Sequence, residues 1–172
     1  MLLSDEGHRV EEHVRRLAGH LGVADFVYRP SIVTTGSGTP EIGDALLAAR
    51  DQGLVVQVKS RDPTAAVGDD LAKARRWCLK AGAKACRQGA GTRRHLSGSS
   101  VSAVSLRGHA RQLPDPADWP IVVIIDHPAN PRVAFPPSSD TVYLSRDDWL
   151  GLHVMIRSNG WPHLLREAGH SD

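Results

Sequence analysis

Cysteine is scarce in this chain: Cys78 and Cys86 are the only two among 172 residues. A disulfide framework is therefore not what holds it together, and at this length a buried core forms without one. The two lie eight positions apart in a stretch that reads as one helix. At about 1.5 Å of rise per residue they stand roughly 12 Å apart, beyond bridging distance, so both are expected to be packing residues. Long apolar runs are missing too. None approaches the roughly 18 residues that span a bilayer, so no membrane partner is expected. The first twelve residues carry Asp5, Glu6, Glu11 and Glu12 behind a two-residue apolar start, which is not a signal-peptide pattern. The expected location is the cytoplasm.

Familiar catalytic signatures are also absent. There is no G-x-S-x-G elbow for a serine hydrolase and no G-x4-G-K-[ST] loop for a nucleotide motor. The nine histidines include no H-x-H or H-x3-H pair, so they read as surface or partly buried residues rather than ligands. The exception worth noting is Asp126-His127-Pro128, which follows an apolar strand whose end would meet a cleft. Trp77, Trp119, Trp149 and Trp161 are scattered and read as core or interface anchors. No internal repeat or low-complexity segment occurs.

What remains has the composition of an ordinary globular domain, 41% hydrophobic and 23% charged. The net charge of +2 is uninformative, but its distribution is not. Eight bases and two acids fall between Asp69 and His95, so that segment carries +6 and the rest of the chain −4. A basic block on an acidic body is a local electrostatic footprint.

Ser4 to about Leu21 reads as an opening helix, capped by Ser4 and striped by Val10, Val14, Leu17 and Leu21. Phe26 to Thr34 is extended in composition, and Thr35 to Pro40 is a loop. Asp44–Ala49 and Leu54–Lys59 flank Arg50-Asp51-Gln52-Gly53, a turn sequence, and predict a β-hairpin. Asp69 to about Gln88 predicts a helix stopped at Gly89–Gly91. Leu71, Ala74, Cys78, Ala81 and Ala85 would form its small inner face; Lys73, Arg76, Lys80, Lys84 and Arg87 would form a basic face about 200° away. Val101–Leu106 and Ile121–Asp126 predict strands, the second apolar throughout as in a strand buried on both sides. Val133–Phe135 and Thr141–Leu144 are short strand candidates. Ser145-Arg-Asp-Asp148 is a capping-box start for a helix running to about Ser158, and a short helix near His163–Ala168 ends the pass.

The hairpin concentrates polar chemistry. If Arg50 pairs with Gly53, Asp44 lies directly across from Lys59, with Gln57 a diagonal neighbour on the same face. An acid, an amide and a lysine then meet on an apolar sheet. A carboxylate and a carbonyl oxygen suit Mg²⁺, and a lysine can orient a water or offset charge on a phosphate. A second carboxylate is wanted, for which Glu11 and Glu12 are candidates. On the hairpin alone, a cross-strand ion pair beside a surface glutamine is the plainer reading. A basic helix face is likewise most often a solvated one, yet beside such a patch it also fits a phosphate backbone. Arg61, just past Lys59, would extend that track.

A helix bearing Glu, a hairpin bearing D-x12-Q-x-K, a basic helix and then strands resembles the PD-(D/E)xK nuclease superfamily, the restriction-endonuclease-like fold. The motif stands here as Pro40-Glu41-Ile42-Gly43-Asp44 and Gln57-Val58-Lys59. The branch it resembles includes Mrr-like restriction enzymes and archaeal-type Holliday junction resolvases. Gly7-x3-Glu11 matches that branch's helix motif and selects Glu11 over Glu12; Gly43-Asp44, Gln57-x-Lys59, Lys84-Ala85 and Gly89-Ala-Gly-Thr92 match further points. The match covers residues 4 to 106, about 60% of the chain. It implies an α/β restriction-endonuclease-like core, a mixed β-sheet flanked by helices, over residues 4–126, with a C-terminal α/β extension over 127–172, all in one domain. It further implies Mg²⁺- or Mn²⁺-dependent cleavage of DNA, in defence or repair, by a homodimer or larger assembly. In that reading Glu11 and Asp44 bind metal, Gln57 and the Val58 carbonyl help hold it, and Lys59 orients the attacking water. Lys73, Arg76, Lys80, Lys84, Arg87 and Arg61 would contact the nucleic acid. Gln57 stands where most relatives have an acid, and Glu41 offers another carboxylate. A catalytically inactive module that binds nucleic acid or a partner protein is the alternative.

Overall fold

Alternating β-branched and leucine-rich runs build the centre of this molecule. A computed structural model of the chain describes residues 27–30, 44–49, 52–97 and 101–152. The expected opening helix with Glu11 and Glu12, the loop with Glu41 and the terminal helix near 163–168 lie outside them. Seven strands form one mixed sheet: β1 (Val27–Pro30), β2 (Ala45–Ala49), β3 (Gln52–Ser60), β4 (Val101–Ser105), β5 (Ala110–Leu113), β6 (Ile121–Asp126) and β7 (Thr141–Ser145). Their spatial order is β5-β4-β1-β2-β3-β6-β7. The β1–β2–β3 meander and the β4–β5 pair are antiparallel, whereas β3, β6 and β7 run parallel. The class is thus α/β with a mixed sheet. Among the described residues no helix is long and apolar enough to cross a membrane.

The chain passes from β3 to parallel β6 through a 26-residue helix, α1 (Leu71–Leu96), and the β4–β5 hairpin. Asp70 caps α1, accepting the Lys73 amide at 2.6 Å. The helix does not stop at Gly89–Gly91 as expected. Its buried line is Ala74, Cys78, Gly82, Ala85, Gly89, Thr92 and Leu96, while Leu71 is exposed. The glycines are there for proximity: a Cβ on Gly89 would lie 2.6 Å from Ile121. Packing against the sheet outweighs the roughly 1 kcal/mol that a helical glycine costs. Ser97 ends the helix by returning both its amide and its hydroxyl to the Arg93 carbonyl.

The sheet carries a core on each face. Even-numbered β3 residues Leu54, Val56 and Val58 pack with Val122, Ile124 and Trp149, the last from a short helix α2 (Arg146–Gly151). Odd-numbered neighbours, with Val55, Ile121 and Val123 among them, pack against α1 through Cys78 and Ala85. The capping box at Ser145 is present, with Asp148 as its reciprocal partner. Val133–Phe135 is not a strand. It lies in the 127–140 connection between β6 and β7, where Pro131, Pro136 and Pro137 remove ladder donors. The β5 strand carries no clear sequence signal, because Ala110, Arg111 and Gln112 are all exposed and show no apolar alternation.

Candidate functional site

The register of the hairpin is displaced by two residues from the one its sequence suggests. Ala49 pairs with Gln52 and Ala45 with Val56, so only Arg50 and Asp51 separate the two strands. Gly53, expected in the turn, belongs to β3, because the Trp119 indole fills the space beside it; a Cβ there would meet three ring atoms at 2.5 Å. This register carries Asp44 opposite Gln57, not Lys59, which corrects the expectation. The displacement is even, so all three residues keep one face of the sheet.

That face is the one α1 covers. Gln57 is 2% exposed, and its amide nitrogen has no hydrogen-bond partner among the described residues. Asp44, just before β2, donates its backbone N–H to the Val56 carbonyl at 3.2 Å. Its carboxylate accepts the Val58 amide at 2.5 Å. Asp44 therefore brackets residue 57 and supplies the ladder partner that β2 has not yet begun to provide. In an extended strand the N–H and C=O of one residue leave on the same side, so the Val58 carbonyl projects from the edge that Asp44 occupies. Lys59 is half-buried one step further along.

The Asp44 carboxylate and the Val58 carbonyl are hard oxygen donors of the kind Mg²⁺ or Mn²⁺ accepts while retaining waters. The orphaned Gln57 amide adds a buried polar group that a bound ion's water or a phosphate oxygen would satisfy. These residues fit a divalent ion as part of a site. Among the described residues no three of His, Cys, Asp and Glu gather to complete one.

The outer face of α1 is as expected: Lys73, Arg76, Lys80, Lys84 and Arg87 are all exposed. The helix holds eight Lys and Arg and no acid. Lys73 is tied to Asp69 at 2.6 Å, but it remains 55% exposed. Arg61 is spent elsewhere. Its guanidinium donates to the Ala65 carbonyl at 2.8 Å, meets Asp69 at 3.4 Å and lies 5.8 Å over the Trp77 ring.

A second cluster, at the carboxyl ends of β3 and β6, is only partly legible in the sequence. The side chain of Asp69 is 1% exposed and faces Arg61, Lys73 and His127. The hydrogen bond from Lys73, then the nearby charges of Lys73 and Arg61, hold its pKa below the ordinary carboxylate value. His127 accepts the Ala129 amide at Nδ1, which places its proton on Nε2, 3.7 Å from Asp69. Its ring tilts against Trp77 with centroids 5.4 Å apart. The position of His127 at a strand end follows from the sequence; its partner Asp69, fifty-eight residues earlier, has no local signal.

Beyond His127 opens a cavity of about 410 Å³ between the 127–140 connection, α1 and the ends of β6 and β7. No family model, curated protein or solved structure matches the chain.

Proposed function

We propose that this chain is a divalent-metal-dependent nuclease of restriction-endonuclease-like fold that binds DNA along α1 and hydrolyses phosphodiester bonds beside Asp44. The observation that carries the reading is the Asp44 carboxylate bonded to the Val58 amide, next to the orphaned Gln57 amide and on the face of Lys59. The mixed sheet, packed against α1 on one face and α2 on the other, supports the reading at the level of an α/β core.

Asp44 and the Val58 carbonyl would hold the ion, with Glu11 as the second carboxylate. A bound Mg²⁺ or Mn²⁺ supplies positive charge against the phosphate and lowers the pKa of water. Lys59 orients the attacking water and offsets charge growing on the phosphate oxygens. Gln57 donates its free amide N–H to a water or a phosphate oxygen. The exposed bases of α1 attract the backbone without regard to sequence. Two copies acting together would cut both strands of a duplex.

The test is nicking of supercoiled plasmid with Mg²⁺ or Mn²⁺, comparing wild type with Asp44→Ala and Lys59→Ala. Metal-dependent nicking lost in both variants supports the proposal. A second reading is favoured by one fact: Gln57 is neutral and enclosed where a metal ligand would usually carry charge. In that reading the chain is a catalytically inactive module that binds nucleic acid or a partner protein, and wild type retards DNA at low salt without cutting it.

A further inference from the structure

The cavity beyond His127 has the attributes of a small-ligand site. Its volume, about 410 Å³, falls within the roughly 300–1,000 Å³ usual for such pockets and admits no macromolecule. It opens at the carboxyl ends of parallel β6 and β7, where open α/β sheets place ligands. The floor is apolar: Cys78, Ile125 and Val133, with Phe135 and Tyr143 as one wall. Those two rings stack 4.2 Å apart at an interplanar angle of 4°. They are fixed from behind by α1, where a Cβ on Gly82 would lie 2.6 Å from Phe135. Burial, then the Cys86 thiol, pushes the Tyr143 phenol up to about 12, so this wall stays neutral.

The rim is polar. Asp147 and Asp148 present carboxylates and Arg132 a guanidinium, all on exposed residues. Each carboxylate is held through one oxygen, Asp147 by Asn130 at 2.9 Å and Asp148 by Ser145 at 2.7 Å. His127, enclosed in the wall, has no hydrogen-bond partner at Nε2 among the described residues, its nearest carboxylate being Asp69 at 3.7 Å. A cavity of this volume, lined by two aromatic rings and by carboxylates on exposed residues, suits a planar ring edged by N–H donors. Arg132 suits an anionic group attached to that ring.

We infer that this cavity binds an amino-bearing nucleobase, with Phe135 and Tyr143 as the apolar wall and Asp147 and Asp148 accepting hydrogen bonds from the base edge. The choice of ligand rests on the nucleic-acid reading of α1, whose buried line supplies Cys78 to the cavity lining while its outer face is basic. The base reaches it either as a free nucleotide or extruded from a strand bound along α1.

Two probes and three variants decide. Saturation-transfer NMR with GMP, AMP, CMP, UMP and ribose 5-phosphate asks whether the base itself is recognised. Gel retardation compares an oligonucleotide with one guanine among abasic sites against a wholly abasic strand. Val133→Trp fills the cavity, Asp147→Asn alters only an exposed rim residue, and Lys80→Glu/Arg87→Glu disables the helix face. The expected result is saturation on base protons of GMP, AMP and CMP, at least tenfold weaker in Val133→Trp, weakened in Asp147→Asn and unchanged in Lys80→Glu/Arg87→Glu. A guanine-dependent gain in oligonucleotide affinity that Val133→Trp removes identifies an extruded base; its absence, with mononucleotides still bound, identifies free nucleotide. Ribose 5-phosphate binding as well as the nucleotides, or base signals that persist in Val133→Trp, overturns the inference. If wild-type mononucleotide binding is absent while duplex retardation persists, the cavity assignment falls and the reading of α1 stands.

Discussion

The Asp44 carboxylate accepts the backbone amide of Val58 at 2.5 Å, closing the β3 edge where β2 has not yet begun. One side chain thus serves as ladder partner and as the acid of the proposed metal site, and the two roles can be separated by experiment.

Asp44→Ala leaves a part-buried amide without its acceptor. The expected loss of stability is about 1–3 kcal/mol, the cost of an unsatisfied donor, read by urea unfolding. Lys59→Ala, half-exposed and without a bond of this kind among the described residues, should cost less than Asp44→Ala while abolishing nicking equally. Equal activity losses with unequal stability losses would separate chemistry from folding.

Charge reversal on the outer face of α1 should weaken DNA binding and leave the fold intact. Lys80→Glu and Arg87→Glu lie on exposed positions with no acidic partner among the described residues. The slope of log affinity against log salt should flatten by roughly one for each phosphate that is no longer neutralised, measured by fluorescence anisotropy from low to moderate salt. An unchanged slope in both variants would remove α1 from the interface.

Gly53→Ala would drive a methyl group into the Trp119 indole, where the nearest ring atoms stand 2.5 Å away. Overpacking of this kind typically costs about 1–3 kcal/mol. The midpoint of urea unfolding should fall, with the loss of near-ultraviolet circular dichroism from Trp119 as a second readout.

Asp69 links Arg61, Lys73 and His127, and its pKa is held below the ordinary carboxylate value of 3.8. A carboxylate depressed by folding stabilises the native state above its unfolded pKa, and that contribution fades as pH falls through the lower folded value. The stability gap between wild type and Asp69→Asn should therefore hold above about pH 5 and shrink below pH 3.8. Urea unfolding across that range measures it; a gap that widens with acid would refute the assignment.

Where the signal is local, the sequence is readable. Ile121–Ile125 is an unbroken apolar run because β6, lying between β3 and β7, is buried on both faces. The basic and small-residue faces of α1 follow from helical periodicity, and the Ser145 cap follows from side-chain chemistry within four residues. The hairpin and the even spacing that keeps Asp44, Gln57 and Lys59 on one face are legible for the same reason: each depends only on neighbours along the strand.

Tertiary packing decided the rest. Either register was compatible with Arg50-Asp51-Gln52-Gly53; the indole of Trp119, sixty-six residues later, draws Gly53 into β3 and so places Asp44 beside Gln57. Gly89 and Gly91 read as a helix stop, yet the close approach of Gly89 to Ile121 favours a helix that continues. Asp69 meets His127 only because the crossover returns β6 alongside β3, and the cavity exists only because a proline-rich connection joins β6 to β7 without a helix to fill it. Periodicity and capping are written into neighbouring residues, whereas register, helix length and the meeting of distant side chains are settled by packing across the sheet.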